Sequence, residues 1–287
     1  MNTLIQSKYI DMHTHSTESD GTLTPAELIK LAARTGLAAI ALTDHDTVSG
    51  LPKARAAAEE YGIELIPGIE LSTEYDKTEV HILGYFIDDK NPDFLQELRH
   101  FRNGREIRNR KMTEKLQNEG FDIAYEKLLE SYPNSIITRA HFARYLVEHD
   151  MVKDRDTVFR KYLGNGCRCY VPREKITPGD AIRLIRKGGG AAYFAHPVLC
   201  RKNPDRLNAF VGMLKEQGLT GIEAVYSTYL PGEERRIRML AEKYGLLMSG
   251  GSDFHGSNKP SIQLGTGKGN LRIPYTFLAE LKAVLRL

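Results

Sequence analysis

Nine side chains that can bind metal ions recur in short motifs along this chain, six of them histidines and three of them carboxylates. They are His13, His15, Asp20, His45, Glu70, His81, His196, Asp253 and His255. Imidazole and carboxylate are ligands of Zn²⁺, Mn²⁺ and Fe²⁺, and no single ion can use nine of them. The set therefore predicts a site with several metal ions, of the kind that proteins use for hydrolysis.

Two of the motifs have a spacing that suits one ion. Side chains alternate between the two faces of an extended chain, so His13 and His15 point to the same side, as do Asp253 and His255. Each residue taken singly has a simpler explanation, such as a turn aspartate or, for His81, a half-buried strand residue. Their joint occurrence near the ends of apolar segments favours metal binding.

The elements that must position these residues are short apolar runs alternating with helical patterns, which is typical of an α/β protein with a mainly parallel sheet or barrel. The predicted strands are Tyr9–His13, Ala38–Thr43, Glu64–Ile69, Val80–Ile87, Ala191–Ala195, Gly221–Tyr226 and Leu246–Ser249. In a parallel barrel the carboxyl ends of the strands meet at one mouth. We therefore expect the nine ligands to lie together there.

The middle of the chain departs from this alternation. No strand is predicted between residues 91 and 169, where helices are expected at Pro92–Glu119, Arg139–Glu148 and Asp154–Leu163. This pattern divides the chain into a first barrel part at 1–90, a helical insertion at 91–169 and a second barrel part at 170–287. If the insertion leaves from the end of the fourth strand, it hangs over the barrel mouth.

Composition excludes several classes of protein. Of the 287 residues, 41% are hydrophobic and 27% are charged, which is ordinary for a globular domain. The net charge of +3 is too small for a chain that binds polyanions as a whole. Three cysteines form no disulfide framework, and the sequence has no signal-peptide pattern or membrane-length apolar run. We expect a cytoplasmic protein with no membrane contact and no obligate protein partner.

The motifs together resemble the PHP (polymerase and histidinol phosphatase) family over nearly the whole chain. They are His13-Thr-His15 with Asp20, Thr43-Asp-His45-Asp46-Thr47, Pro67-Gly-Ile-Glu70, His81, Ala195-His196-Pro197 and Gly251-Ser-Asp253-Phe-His255. The resemblance implies a distorted, TIM-barrel-like (β/α)7 barrel that holds three divalent metal ions, which could be Mn²⁺, Fe²⁺ or Zn²⁺. It assigns His13, His15, Glu70 and Asp253 to one metal, Asp20, His45 and His255 to a second, and His81 and His196 with a bridging Glu70 to a third.

The insertion carries a more particular resemblance. The segments around Arg105 and Arg139 are similar to the insert of PHP nucleoside 3′,5′-bisphosphate phosphatases, in which arginines bind a substrate phosphate. Arg105 and Arg139 are therefore our candidate phosphate ligands, His141 is a weaker one, and Arg144 stays open. For the charged run as a whole, a solvated helix face is the alternative.

The resemblance implies a metal-dependent phosphoesterase in which metal-bound hydroxide, and no protein nucleophile, attacks phosphorus. The favoured substrate is a nucleoside 3′,5′-bisphosphate, such as adenosine 3′,5′-bisphosphate giving AMP. The alternative is a 5′-3′ exoribonuclease acting on short 5′-phosphorylated RNA. A histidinol phosphatase, or a non-catalytic module that serves a polymerase, fits less well. Asp44 and Asp46 flank His45 and are expected either to cap turns or to orient a ligand.

Overall fold

A seven-stranded sheet forms the centre of the computed structural model, which describes residues 8–133, 135–172 and 176–287. The strands follow one another in chain order around the sheet. They are β1 (Ile10–Asp11), β2 (Ala39–Leu42), β3 (Glu64–Tyr75), β4 (Thr78–Tyr85), β5 (Ala191–Phe194), β6 (Gly221–Tyr226) and β7 (Leu247–Gly251). All seven predicted strands are present, with ends that differ by a few residues.

The sheet closes into a nearly complete barrel through backbone contacts between its first and last strands. Met12 N donates to Gly250 O at 3.1 Å, and Asp253 N donates to His13 O at 2.9 Å. A side chain at residue 251 could not fit this closure, since a Cβ there would lie 2.1 Å from His13 Cβ. The predicted distorted α/β barrel is confirmed.

One strand runs against the predicted direction. β1, β2 and β3 are parallel, as are β5, β6 and β7, but β4 is antiparallel to both of its neighbours. It follows β3 through a two-residue turn in which Asp76 and Lys77 both have positive φ, the conformation of a type I′ hairpin. The sequence lacks the glycine that usually marks such a turn, so the hairpin was not predicted.

Ten helices are described, some packed on the outside of the barrel and the others in the insertion. They are α1 (Pro25–Arg34), α2 (Leu51–Tyr61), α3 (Pro92–Asn118), α4 (Tyr125–Ser131), α5 (Arg139–Glu148), α6 (Arg155–Val158), α7 (Pro178–Lys187), α8 (Pro204–Glu216), α9 (Pro231–Tyr244) and α10 (Thr276–Leu285). α1 begins as predicted, with a capping box between Thr24 and Glu27 and Pro25 at its first position. None of the helices in the described ranges is long and apolar enough to cross a membrane.

The antiparallel direction of β4 changes where the insertion begins. β4 ends at Tyr85, which pairs with Gly68 near the start of β3, so the chain leaves the barrel at the end opposite the mouth. α3 then returns along the barrel wall, where Phe94 and Leu98 join the main core. Arg105 lies 13 positions after Pro92 in the same helix, a rise of about 20 Å at ~1.5 Å per residue, which brings Arg105 to the mouth.

Beyond Arg105 the insertion has a core of its own. Met112 and Leu116 at the end of α3 pack with Leu128 of α4, with Phe142 of α5 and with Leu163 of a π-helical turn (Phe159–Leu163). Among the residues that the structure describes, no strand lies in the predicted insertion at 91–169. The insertion is therefore a small helical layer seated on the barrel mouth.

Candidate metal centre

The nine predicted ligands all meet at the barrel mouth. They fall into four overlapping groups, and within each group the potential ligand atoms lie within 4.8 Å of one another. The groups are His15, Asp20, His45 and His255; His13, Glu70 and His196; His13, His15 and Asp253; and His45, Glu70 and His81. Residues 240 positions apart in the chain, such as His13 and Asp253, thus lie close together.

Glu70 is the centre of this cluster. Its Oε2 lies 3.2 Å from a ring nitrogen of each of three histidines, and its Oε1 lies 2.8 Å and 3.0 Å from two more. The three are His13, His15 and His45, and the two are His81 and His196. The sequence placed Glu70 just after the third strand, but β3 continues to Tyr75 and Glu70 lies within it. Its side chain therefore points into the barrel mouth from a fixed strand position.

His81 reaches the same mouth from the early part of its strand. Residues at the start of a parallel strand lie at the far end of a barrel from its mouth. Because β4 is antiparallel, its early residues lie at the mouth instead, and His81 pairs in register with Ser72 of β3. The direction of this strand is what makes His81 available to the cluster.

The nitrogens of the cluster have the surroundings that metal ligands need. His13 Nε2, His15 Nε2 and His45 Nδ1 are buried and, although each lies 3.2 Å from Glu70 Oε2, none makes a well-aligned hydrogen bond among the described residues. An unsatisfied buried nitrogen is costly unless something fills its lone pair or binds its proton. Burial lowers the pKa of His45 to about 3, and Glu70 and Asp20 offset this only in part, so His45 is a neutral imidazole with a lone pair to give. The donor set and these nitrogens fit divalent metal ions.

Several ligands are also held by residues outside the sequence motifs, on the side that faces away from the cluster. Glu223 of β6 accepts a hydrogen bond from His13 Nδ1 at 3.0 Å and from His196 N at 2.7 Å. Asp253 Oδ2 accepts from the Tyr226 hydroxyl at 2.6 Å and pairs with Lys259, while Asp253 Oδ1 faces the histidines. A carboxylate in the otherwise apolar strand Gly221–Tyr226 was the one available signal for Glu223.

The two aspartates beside His45 make different contacts. Asp44 accepts hydrogen bonds from Ser16 N at 2.8 Å and from the Ser19 hydroxyl at 2.5 Å, which fixes the loop after His15. Asp46 has positive φ and accepts from Ser72 N at 2.9 Å. Both carboxylates stabilise loops that carry ligands, and neither belongs to the four candidate metal groups.

The predicted phosphate ligands of the insertion lie at the edge of the cluster. Arg105 is buried and donates through Nε to Asp46 Oδ2 at 2.8 Å and through Nη2 to the Ser72 hydroxyl at 2.8 Å. Arg139 pairs with Glu79, whose other oxygen lies 3.5 Å from His81 Nε2. Each arginine thus contacts a carboxylate that adjoins a candidate metal ligand. Asp46 makes this contact as the chain neighbour of His45, and Glu79 faces His81.

His141 lies in the first turn of α5, near Asp20 of the cluster. Its Nδ1 accepts a hydrogen bond from Thr138 N at 2.9 Å, and the Thr138 hydroxyl donates to Asp20 Oδ2 at 3.2 Å. Burial lowers the pKa of His141 to about 4, since the nearby charge of Asp20 compensates only in part. The remaining histidines, His100 and His149, lie in α3 and at the end of α5, outside the four candidate groups.

Comparisons with known proteins agree with this geometry. The PHP domain family matches residues 11–165. The 3′,5′-nucleoside bisphosphate phosphatase of Chromobacterium violaceum is 37% identical over 257 residues, covering 89% of this chain and 90% of that protein. The 5′-3′ exoribonuclease Rnm of Escherichia coli is 35% identical over 257 residues, covering 89% of this chain and 87% of that protein.

A solved structure of a proposed metal-dependent phosphoesterase from Bifidobacterium adolescentis superposes with a TM-score of 0.84 at 28% identity, covering 96% of both chains. The chain belongs to the PHP domain family. The family predicted from the motifs is therefore confirmed, and the chain is a phosphoester hydrolase that uses divalent metal ions.

Proposed function

We propose that this enzyme removes the 3′-phosphate from nucleoside 3′,5′-bisphosphates and leaves the nucleoside 5′-monophosphate. The observation that carries the proposal is the placement of two insertion arginines, Arg105 and Arg139, beside a nine-ligand metal cluster. Such an arrangement provides one position for a reacting phosphate and another for a phosphate that only anchors the substrate. The similarity to the Chromobacterium violaceum phosphatase supports the same assignment.

The cluster offers ligands for three metal ions. His13, His15, Glu70 and Asp253 would hold one, Asp20, His45 and His255 a second, and His81 and His196 with Glu70 a third. Histidine and carboxylate suit Mn²⁺, Fe²⁺ and Zn²⁺ alike. When bound, such ions polarise the phosphate and lower the pKa of coordinated water toward neutrality.

The protein's own residues fix the geometry around these ions. Glu223 holds His13 and the backbone at His196, and Tyr226 and Lys259 hold one oxygen of Asp253 so that the other faces the histidines. Supporting residues of this kind orient ligands and keep imidazoles in one tautomer. The site is therefore rigid before substrate binds.

The arginines provide the anchoring charge. Within the protein, Arg105 donates through Nε and Nη2, and Arg139 donates through Nη1 and Nη2. A planar guanidinium binds a phosphate in two-pronged geometry, which a point charge cannot match. We assign the 5′-phosphate of the substrate to this pair, which places the 3′-phosphate at the metal cluster. His141, on the Asp20 side, would contribute a neutral hydrogen bond to the substrate.

A substrate panel on metal-loaded protein tests the assignment. We expect hydrolysis of adenosine 3′,5′-bisphosphate to AMP and phosphate, with a kcat/KM at least tenfold above that for histidinol phosphate, which lacks an anchoring phosphate. AMP and adenosine 3′-monophosphate serve as controls that carry one phosphate each. Comparable rates for the bisphosphate and for adenosine 3′-monophosphate would show that no second phosphate is recognised. An exoribonuclease activity on short 5′-phosphorylated RNA is the second candidate, favoured by the similarity to the Escherichia coli enzyme.

A further prediction concerns metal uptake. The protein should bind about three ions per chain and release protons when it does so. Burial alone would lower the pKa of His15, but Asp253 and Glu70 raise it to about 9, and Glu70 and Glu79 raise that of His81 to about 10 in the same way. In protein stripped of metal both rings are therefore protonated at neutral pH, and metal must displace these protons. Affinity should strengthen as the pH rises from 6 to 9.

Elemental analysis and titration calorimetry in two buffers of different ionisation enthalpy measure these quantities. The apparent enthalpy should differ between the buffers by an amount that corresponds to released protons. Less than one ion per chain after incubation with Mn²⁺, or an affinity that weakens with rising pH, would contradict the prediction.

A further inference from the structure

The insertion contacts the loop that carries the candidate metal ligand Asp20. We call residues 16–22 the Asp20 loop. The Ser135 hydroxyl and the Ile136 N–H, both between α4 and α5, donate to backbone carbonyls of this loop at 2.6 Å and 3.0 Å. These hydrogen bonds join the insertion to the barrel. The position of the Asp20 loop therefore depends on both parts of the protein.

Thr138 makes the contact to the Asp20 carboxylate itself. Its hydroxyl lies 3.2 Å from Asp20 Oδ2 and 3.3 Å from His141 Nδ1. His141 Nδ1 already accepts a hydrogen bond from Thr138 N at 2.9 Å, so its lone pair is used and the hydroxyl hydrogen is left for Asp20. The hydroxyl oxygen accepts from Ala140 N at 3.2 Å. A buried threonine is thereby oriented as a donor to one oxygen of a buried carboxylate.

The other oxygen of Asp20 faces the metal cluster. Asp20 Oδ1 is buried 3.2 Å from His255 Nε2, and it makes no well-aligned hydrogen bond within the part of the chain that the structure describes. Asp253 has the same arrangement, since Tyr226 donates to its Oδ2 and its Oδ1 faces the histidines. In both cases a hydroxyl occupies one carboxylate oxygen and leaves the other for a metal ion. Tyr226 belongs to the barrel, but Thr138 belongs to the insertion.

A second residue of the insertion holds the chain beyond His255. Arg155, at the start of α6, donates through Nη1 to Asn258 O at 2.7 Å and to Asn258 Oδ1 at 3.2 Å. Asn258 Nδ2 in turn donates to Asp20 O at 2.7 Å. One arginine of the insertion therefore connects the short turn after His255 to the Asp20 loop. Asp20 and His255 belong to the same candidate metal group.

A different part of the cluster is supported from within the barrel. Glu223 of β6 accepts hydrogen bonds from the His13 ring and from the backbone of His196. These two ligands belong to the candidate groups that do not contain Asp20. The residues that support the cluster are thus divided between the barrel and the insertion, and the division follows the metal groups.

We propose that Thr138 and Arg155 are positioning residues for one ion of the cluster, the ion assigned to Asp20, His45 and His255. The inference rests on the proposed three-ion centre. This ion's position is complete only when the insertion is seated on the barrel, because the insertion sets the direction of one ligand and the path of the chain beside another. Loss of either positioning residue should therefore weaken the binding of a single ion.

The test measures metal binding rather than activity. Thr138→Val keeps the shape of the side chain and removes the hydroxyl. We expect it to weaken one of about three Mn²⁺ ions by about tenfold to a hundredfold, the range typical when a residue that supports a ligand is lost, and to leave the others within about twofold. Arg155→Ala should weaken the same single ion. Thr138→Ser keeps the hydroxyl and should bind all ions as the wild type does. Equilibrium dialysis against Mn²⁺ with elemental analysis measures the affinities.

Two control variants remove the same groups away from the Asp20 loop. Thr177 caps α7 as Thr138 caps α5, so Thr177→Val loses a helix cap and should keep every ion. Arg168 pairs with Glu119 inside the insertion, so Arg168→Ala should keep them as well. Circular dichroism shows whether each variant is folded. Should Thr138→Val fail to fold, Arg155→Ala tests the same selective loss.

The outcomes separate the inference from the three-ion proposal. Wild-type affinity for every ion in both Thr138→Val and Arg155→Ala would overturn the inference, as would a parallel weakening of all ions. An equal loss in Thr177→Val would overturn it too, because capping alone would then account for the effect. Wild-type protein that binds two ions, one of which Thr138→Val weakens selectively, would refute the count of three and support the positioning role.

Discussion

Glu70→Gln should abolish most of the phosphoesterase activity, with a loss in kcat/KM of about a hundredfold or more on every substrate. Glutamine keeps the shape of the side chain and removes the charge that faces His13, His15, His45, His81 and His196. Burial by itself would raise the pKa of Glu70, but the charges of surrounding histidines, among them His13 and His81, outweigh it and hold that pKa well below its usual range, so Glu70 is ionised throughout the working pH range. An amide cannot bridge dications with the same strength.

The matched control lies on the same strand. Glu64, at the other end of β3, pairs with Lys282 at the far end of the barrel from the cluster. Glu64→Gln removes a charge in the same way and should leave both the activity and the bound metal within about twofold of wild type. Kinetics, elemental analysis and circular dichroism of the two variants provide the comparison. If both substitutions reduce activity equally, or if Glu70→Gln keeps its metal and its activity, the cluster is not the catalytic centre.

Arg139→Ala should separate the activity on a bisphosphate from the activity on a simple phosphate. We expect kcat/KM for adenosine 3′,5′-bisphosphate to fall by roughly 2–4 kcal/mol of transition-state stabilisation, because the anchoring phosphate loses a charged two-pronged partner. Activity on an aryl phosphate, which has only the reacting group, should change little. Arg139→Lys should recover part of the loss, since it keeps the charge without the planar fork.

Arg105→Ala should show the same selectivity with an added general loss. Arg105 is the buried partner of Asp46, and removing it leaves that carboxylate without its guanidinium beside His45. We therefore expect a smaller decrease on aryl phosphate as well, which Arg105→Lys should reverse. Parallel losses on both substrates in the Arg139 variant would show that it serves the fold or the metals, and the specificity argument would fail. Arg110→Ala provides the control, since Arg110 is an exposed helix arginine that pairs with Glu106 and Glu126.

The amino-acid sequence was enough to predict the chemistry of this protein. Ligand identity is a property of side chains, and the pairs His13/His15 and Asp253/His255 keep their geometry wherever an extended segment is placed. The strands were predictable because buried strands are short apolar runs between turn and capping residues such as Thr24 and Gly36. The order of the motifs along the chain predicted the family, and the comparisons confirmed it.

The arrangement of these parts relative to one another could not be predicted, because it depends on the packing of the whole chain. The direction of β4 depends on a two-residue turn whose positive φ values are set by strand pairing rather than by Asp76 and Lys77. That direction brings His81 to the mouth and moves the start of the insertion to the opposite end of the barrel, so that α3 returns along the wall before Arg105 meets Asp46. A sequence pattern records local periodicity, whereas strand direction is fixed by pairing between distant segments.

The same reason explains the contacts that the sequence did not reveal. Glu223 contacts His13 across 210 residues, and Leu23, Arg144 and Gln263 line one cleft between the barrel and the insertion. The residues next to Glu223 in the sequence do not distinguish it from any strand carboxylate, and those next to Arg144 do not distinguish it from a solvated helix arginine. Their surroundings arise when the barrel closes and the insertion is seated on it, because burial and distance are properties of the packed chain.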